Sequence, residues 1–232
     1  MPEKPNGMPP RRWSFRSVTR WIVRAVVLLW LAAALTLTAA RWFNPPTTAV
    51  QMERRIQAAL AGKPYAKHYQ FVPLRGIAPD LQYAVIAAED ARFYQHHGFD
   101  WQAMEIAVEG DIHGRRLRGG STLTQQLVKN LLLGTERSYL RKGVEATLVP
   151  VAELVLGKQR ILELYLNVVE WGPGVYGAEA ASRYHFHTSA RRLSRTQAAE
   201  LAAILPAPRR RRPERMARYS AIIQQRMRQM GW

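Results

Sequence analysis

Cysteine is absent from the 232 residues, and with it go disulfide staples, thiol nucleophiles and thiolate metal sites. Acids are scarce too: 17 Asp and Glu face 34 Lys and Arg, leaving a formal net charge of +17. A charge of that size suggests a nucleic-acid binder until it is mapped along the chain. Residues 1–44 hold seven bases against one acid and residues 209–232 hold eight against one, whereas the long middle is close to balance. A nucleic-acid domain should concentrate positive charge on a folded face. Basic termini suit an anionic membrane surface instead, and no nucleic-acid partner is expected. Also missing are alternating apolar–polar runs long enough for a substantial sheet and any internal repeat, which leaves an all-α or mainly α class.

One long apolar run is present, residues 21–40 (WIVRAVVLLWLAAALTLTAA). As a helix at about 1.5 Å per residue it reaches about 30 Å, the thickness of a bilayer's hydrocarbon core. Its one charge, Arg24, lies a turn from the start, where the side chain can reach back to the headgroups. Arg11, Arg12, Arg16 and Arg20 precede the run and Arg41 alone closely follows, so the positive-inside rule predicts a cytoplasmic N-terminus. A cleaved signal peptide is the alternative, because Thr38, Ala39 and Ala40 are small. The apolar core exceeds the usual signal length, which favours a retained anchor. The expected organisation is a basic N-terminus (1–20), a transmembrane helix (21–40), a linker (41–50) and one domain (51–232).

Within that domain the signals are helical. Thr122 to Gln125 and Ser194 to Gln197 read as capping boxes. The first opens a helix expected to end at Gly134, and the second opens QAAELAAIL. A helix is expected from about residue 135 toward Gly157 with a bend at Pro150, then another over 158–170, and a last amphipathic one over about 215–230.

Three stretches carry candidate chemistry. In VIAAEDARFYQHHG (85–98) a helix beginning near residue 80 ends at Glu89, with Val85, Ile86 and Ala88 behind it. A carboxylate so desolvated would have a raised pKa and serve as a base near neutrality; a solvated helix end is the plainer reading. In GGSTLTQQLVKN (119–130), two glycines precede a helix N-terminus. Ser121, Thr124, Gln125 and Gln126 offer neutral hydrogen bonds there, and Lys129 a charge. This describes an anion site or simply a well-capped helix. Arg137, Arg141 and Glu145 repeat every four residues, with Lys142 three before Glu145. The pattern is either a surface ion-pair ladder or a cationic strip around an acid kept ionised. Two carboxylates in unlike environments are what glycosyl transfer requires. His96 and His97 are adjacent and cannot both face one ion, so no metal site is expected.

In this order the stretches resemble the glycosyltransferases of family 51, the peptidoglycan polymerases. EDARFYQHHG (89–98), GGSTLTQQLVKN (119–130), RKGVE (141–145), KQRILELYLN (158–167) and WGPGVYGAEAAS (171–182) are similar to its five motifs. The resemblance spans about residues 50–232 and leaves nothing for a transpeptidase domain, which points to the monofunctional branch. It implies a lysozyme-like helical domain with a small membrane-proximal lobe. It also implies polymerisation of lipid II into β-1,4-linked glycan, with release of undecaprenyl pyrophosphate, at the outer face of the cytoplasmic membrane. Glu89 then matches the general base and Glu145 the second acid. Ser121, Gln125, Lys129, Arg137, Arg141 and Lys142 match substrate-binding positions, and His96 a structural hydrogen-bonding one. The implied partners are lipid II, the lipid-linked glycan chain, the membrane and other cell-wall synthesis proteins. No cofactor is required, with Mg²⁺ or Mn²⁺ as a candidate stimulant. The rival readings are a lysozyme-like hydrolase and a non-enzymatic anchored envelope-binding protein. One departure is HFHT at 185–188, where relatives often have a Tyr-Phe-Gly-Lys-like segment. Another is the long arginine run 209–212, expected to meet solvent or lipid headgroups. Residues 99–118, with Trp101, Met104, Ile106, Arg115, Arg116 and Arg118, are a candidate membrane-touching flank or a packed one.

Overall fold

A computed structural model describes residues 15–112, 120–136 and 138–232. The expected Arg137, Arg115, Arg116 and Arg118 lie outside the described residues, as do Arg11 and Arg12.

Helix α1 (Phe15–Ala39) contains the apolar run; its stretch Val18–Ala39 is long and apolar enough to cross a membrane. It begins before residue 21 because the arginine-flanked lead-in is also helical. Most of its apolar side chains are exposed, but Leu37 and Ala40 are buried where the helix meets the rest of the chain. That junction is held by polar bonds. Arg160 donates to the Ala40 carbonyl at 2.9 Å and the Phe43 carbonyl at 3.1 Å, Arg41 to the Val155 carbonyl at 2.8 Å, and Trp30 to Thr147 Oγ1 at 3.0 Å.

After the linker, α2 (Ala49–Leu60) starts on a Thr48 cap. Helix α3 (Pro79–Glu89) opens with proline at its first position, where the missing N–H costs nothing. It is followed by α4 (Trp101–Ile112) and α5 (Leu123–Val128). Both expected capping boxes form: Thr122 Oγ1 accepts from Gln125 N at 3.2 Å, and Ser194 Oγ from Gln197 N at 3.3 Å. The second opens α8 (Arg195–Ile204), which is followed by α9 (Ala217–Gln229).

Two expectations need correction. The helix begun at Thr122 is not regular to Gly134. It widens into a π-helical turn over Lys129–Leu133, in which Asn130 Nδ2 back-bonds to the Gln126 carbonyl at 2.7 Å. The helix running toward Gly157 and its successor are both present, joined in α6 (Tyr139–Val168), which continues through Pro150 and breaks at Gly157 where the sequence placed the boundary. Proline removes one donor and bends a helix. Gly157, at φ 70° and ψ 163°, leaves the helical region altogether, a step that glycine alone takes freely. Finally, the helix expected to reach residue 170 stops at Val168. Glu170 opens β2 (Glu170–Gly172), which pairs antiparallel with β3 (Val175–Tyr176); β3 in turn pairs parallel with β1 (His68–Tyr69). Strands of two or three residues are too short to register as alternation. Helix α7 (Ala178–Phe186) completes the set.

The core lies where α3 meets α8 and α9, and where α5 meets α6. Leu81, Val85, Leu123, Leu127, Leu148, Val149, Ile161 and Leu201 are fully buried in it, each worth about 1.5–3 kcal/mol relative to exposure. This packing fixes the C-terminal end of α3 against the N-terminal end of α5.

Candidate active site

Glu89 is the last residue of α3, half-buried, and lines a cleft of about 220 Å³ with Arg92, Gly120, Ser121 and Arg226. Val85 and Ile86 behind it are buried, as the sequence suggested. Burial raises its pKa. The Gln126 amide, then the charges of Lys129 and Arg211, pull it back, and the Asp90 carboxylate adds to the rise. The result is a carboxylate more basic than usual yet held in a defined direction.

That direction comes from α5 and α6. Gln126 Nε2 donates to Glu89 Oε2 at 3.0 Å, while its Oε1 accepts from the Tyr165 hydroxyl at 2.9 Å. Because an ionised carboxylate can only accept, Gln126 turns its NH2 toward Glu89 and leaves its oxygen to the Tyr165 hydroxyl. Gln125, one residue earlier, points elsewhere. It is buried and its Oε1 accepts from Thr122 N at 2.9 Å in the capping box, so the structure gives it a scaffolding position rather than one on the cleft. Ser121 is exposed on the cleft wall.

Asp90, which sequence reasoning left without a role, ties the first two motifs together. Its carboxylate accepts from His96 Nε2 at 2.9 Å and from Leu123 N at 2.9 Å. His96 Nδ1 accepts from Gly98 N at 3.1 Å, so both ring nitrogens are engaged in the structural hydrogen-bonding role expected of it. Thr122 Oγ1 donates to the Gly98 carbonyl at 2.7 Å and closes the circuit. Gly98 itself has φ 94°, and a Cβ there would come within 2.5 Å of Val149 Cγ1. No other residue fits. The fourth motif supports the same region, since Lys158 bonds Glu153 at 2.8 Å and lies 4.6 Å over the buried Phe93 ring.

Glu145 is buried on α6 and accepts from Arg141 Nη1 at 2.7 Å and Lys142 Nζ at 2.5 Å. The i,i+3 and i,i+4 spacings thus make a cationic strip around an acid. Lys129, at the entrance to the π turn, joins this strip to Glu89. Burial lowers its pKa; the Glu145 carboxylate opposes this most strongly, Arg141 and Lys142 reinforce it, and Glu89 opposes it again. Both acids therefore act on one ammonium. Among the described residues no group of three His, Asp or Glu is placed to hold a metal ion. His185 instead bonds the Trp171 carbonyl at 3.1 Å.

A mainly helical domain that sets one basic carboxylate beside a cation-bound second one fits enzymes that transfer a sugar from a phosphorylated carrier. The chain belongs to the transglycosylase family, whose model matches residues 50–230. It is 46% identical over 221 residues to the biosynthetic peptidoglycan transglycosylase of Pseudomonas putida, covering 93% of each chain. To the protein of the same name in Ectopseudomonas mendocina it is 46% identical over 220 residues, covering 93% of this chain and 91% of that one. The fold is the mainly α, lysozyme-like one that the motifs implied.

Proposed function

We propose that the protein is an inverting peptidoglycan glycosyltransferase that joins lipid II to a lipid-linked glycan strand. The acceptor's 4-hydroxyl attacks the donor's anomeric carbon, and Glu89 takes the hydroxyl proton as the new β-1,4 bond forms. The bond to the lipid diphosphate breaks on the opposite face, and that group departs with the electron pair. Lys129, Arg141 and Lys142 neutralise the departing charge, and Arg137, which lies outside the described residues, is a further phosphate-binding candidate from the resemblance alone. Glu145 holds Arg141 and Lys142 in place. Ser121 borders the sugar path, whereas Gln126, not Gln125, holds the base. A diphosphate leaves readily once its charge is met, so fixed cations contribute more than a proton donor would. A divalent cation is compatible with this chemistry as a stimulant but has no assigned step.

The reading is carried by two carboxylates in unlike surroundings: Glu89, held by the Gln126 amide on a cleft, and Glu145, buried and bound by Arg141 and Lys142. A hydrolase of the same polymer would need the base but not the strip. Helix α1 serves as a single-pass anchor in the cytoplasmic membrane, with the arginine-rich N-terminus inside and the catalytic domain outside. An anchored enzyme meets both lipid-linked substrates in two dimensions, and exposed Trp101 and Ile106 on α4 suit the same surface. Other cell-wall synthesis proteins are the natural neighbours there.

The test is incubation of the purified full chain with lipid II, and separately with mature glycan strands. Polymer from lipid II that is lost in Glu89→Gln supports the proposal. Muropeptides released from strands, with no polymer from lipid II, would overturn it in favour of hydrolysis.

A further inference from the structure

The strip at Lys129 serves the diphosphate that leaves, but a second set of cations stands by Glu89. The arginine-rich C-terminal segment does not trail into solvent; it folds back over α3. Trp232 stacks on Tyr83 with centroids 4.6 Å apart, and Arg195 of α8 donates to the Trp232 carbonyl at 2.6 Å and to Asp80 at 3.1 Å. Ile223 and Met227 of α9 are fully buried. So held, α9 brings Arg226 to the wall of the cleft that contains Glu89 and Ser121.

Arg226 is exposed there, and among the described residues its guanidinium makes one hydrogen bond, a long one of 3.4 Å to the Ala87 carbonyl. Arg92, on the same wall, is engaged by Gln102 and lies 3.5 Å from Asp100. Arg211 is fixed by a 2.6 Å bond to the Ala203 carbonyl and by lying over the Tyr219 ring at 5.6 Å, and its charge reaches Glu89. An exposed guanidinium with one long hydrogen bond, on the wall of the cleft that contains the base, has its donors available to an anion when the substrates are bound. The glycosyl transfer brings two diphosphates. One departs at the Lys129 strip; the other belongs to the acceptor and stays intact while its sugar hydroxyl meets Glu89.

We infer that Arg226 binds the diphosphate of the lipid-linked acceptor and is a specificity-determining residue for the nucleophilic substrate. This rests on the glycosyltransferase reading above. A guanidinium can grip a phosphate through two parallel N–H donors, which a lysine cannot copy. After each transfer the lengthened strand carries its diphosphate at Arg226 and must pass it to the Lys129 strip. An exposed, lightly held arginine suits that temporary grip better than a buried one.

The experiment is single addition by the full chain in detergent. The donor is a lipid-linked glycan whose terminal 4-hydroxyl is blocked, so that it cannot act as acceptor, and lipid II is varied as acceptor. Arg226→Gln should raise the acceptor KM about tenfold, the scale of losing charge-assisted hydrogen bonds. The donor KM should move less than twofold, and Arg226→Lys should recover part of the loss. Added salt should raise the acceptor KM of the wild type more than that of Arg226→Gln. An unchanged acceptor KM, or an equal rise in donor KM, would overturn the inference. So would an effect that disappears with an acceptor lacking its peptide, since the partner would then be a peptide carboxylate. A wild type that makes no polymer defeats the glycosyltransferase reading itself, whereas an active wild type with an indifferent Arg226 defeats only this inference.

Discussion

Gln126 donates to Glu89 at 3.0 Å from a helix that begins thirty-odd residues further along the chain, and the Tyr165 hydroxyl donates to the other end of the same amide. The base is thus aimed by α5 and α6 rather than by its own helix. Its basicity is a balance between burial, which raises the pKa, and the amide and nearby cations, which lower it.

The acid limb of the pH–rate profile reports that balance. For wild type it should lie above the ordinary carboxylate range, with activity lost as pH falls and Glu89 takes up a proton. Gln126→Ala removes a lowering influence, so the limb should move to higher pH. Tyr165→Phe should move it the same way by a smaller amount. Profiles of kcat/KM for the three proteins check this; a limb that moves to lower pH in Gln126→Ala contradicts the role assigned to the amide.

Glu89→Gln should lower turnover by about 10²–10⁴, the usual worth of a general base. It should also stabilise the fold. Because the folded pKa is raised, the stability associated with protonated Glu89 is full below the unfolded value and is lost as pH rises through the folded one. The variant's Tm should therefore exceed that of wild type in mildly alkaline buffer, and the gap should close toward about pH 4. Thermal melts across pH measure it.

Glu145→Gln leaves Arg141 and Lys142 beside a neutral amide in a buried position. Both cations retain partial access to water, so the cost to stability should be about 1–3 kcal/mol rather than that of a fully buried ion. Donor KM should rise because the strip loses its geometry. Lys129→Ala should raise donor KM as well without an equal loss of stability. Paired melts and donor titrations distinguish the two, and wild-type donor KM in both would refute the strip.

Gly98→Ala should be severe for a residue that touches no substrate. It forces a side chain into φ 94° and drives its Cβ to within 2.5 Å of Val149. A loss of about 1–3 kcal/mol is expected, seen as a lower Tm, together with weakened activity as the His96–Asp90 link shifts.

Much of this was legible in the residues themselves. Capping at Thr122 and Ser194, the apolar span, the desolvated Glu89 and the Arg141–Lys142–Glu145 strip all rest on neighbours within four positions, where helical geometry leaves little choice. The choice of Gln126 over Gln125 was not legible, because adjacent glutamines differ only in which way the helix turns them. Nor was a sheet made of strands two and three residues long.

Local sequence therefore determined where helices begin, which side chains share a face and which acids sit among cations or apolar residues. Only the tertiary structure decided that Asp90 would bridge to α5, that Gln126 would hold Glu89, and that Arg226 of α9 would reach the wall of the Glu89 cleft. The reason is physical: those relationships join residues far apart in the chain, and burial of α3 against α8 and α9 and of α5 against α6 is what brings them together.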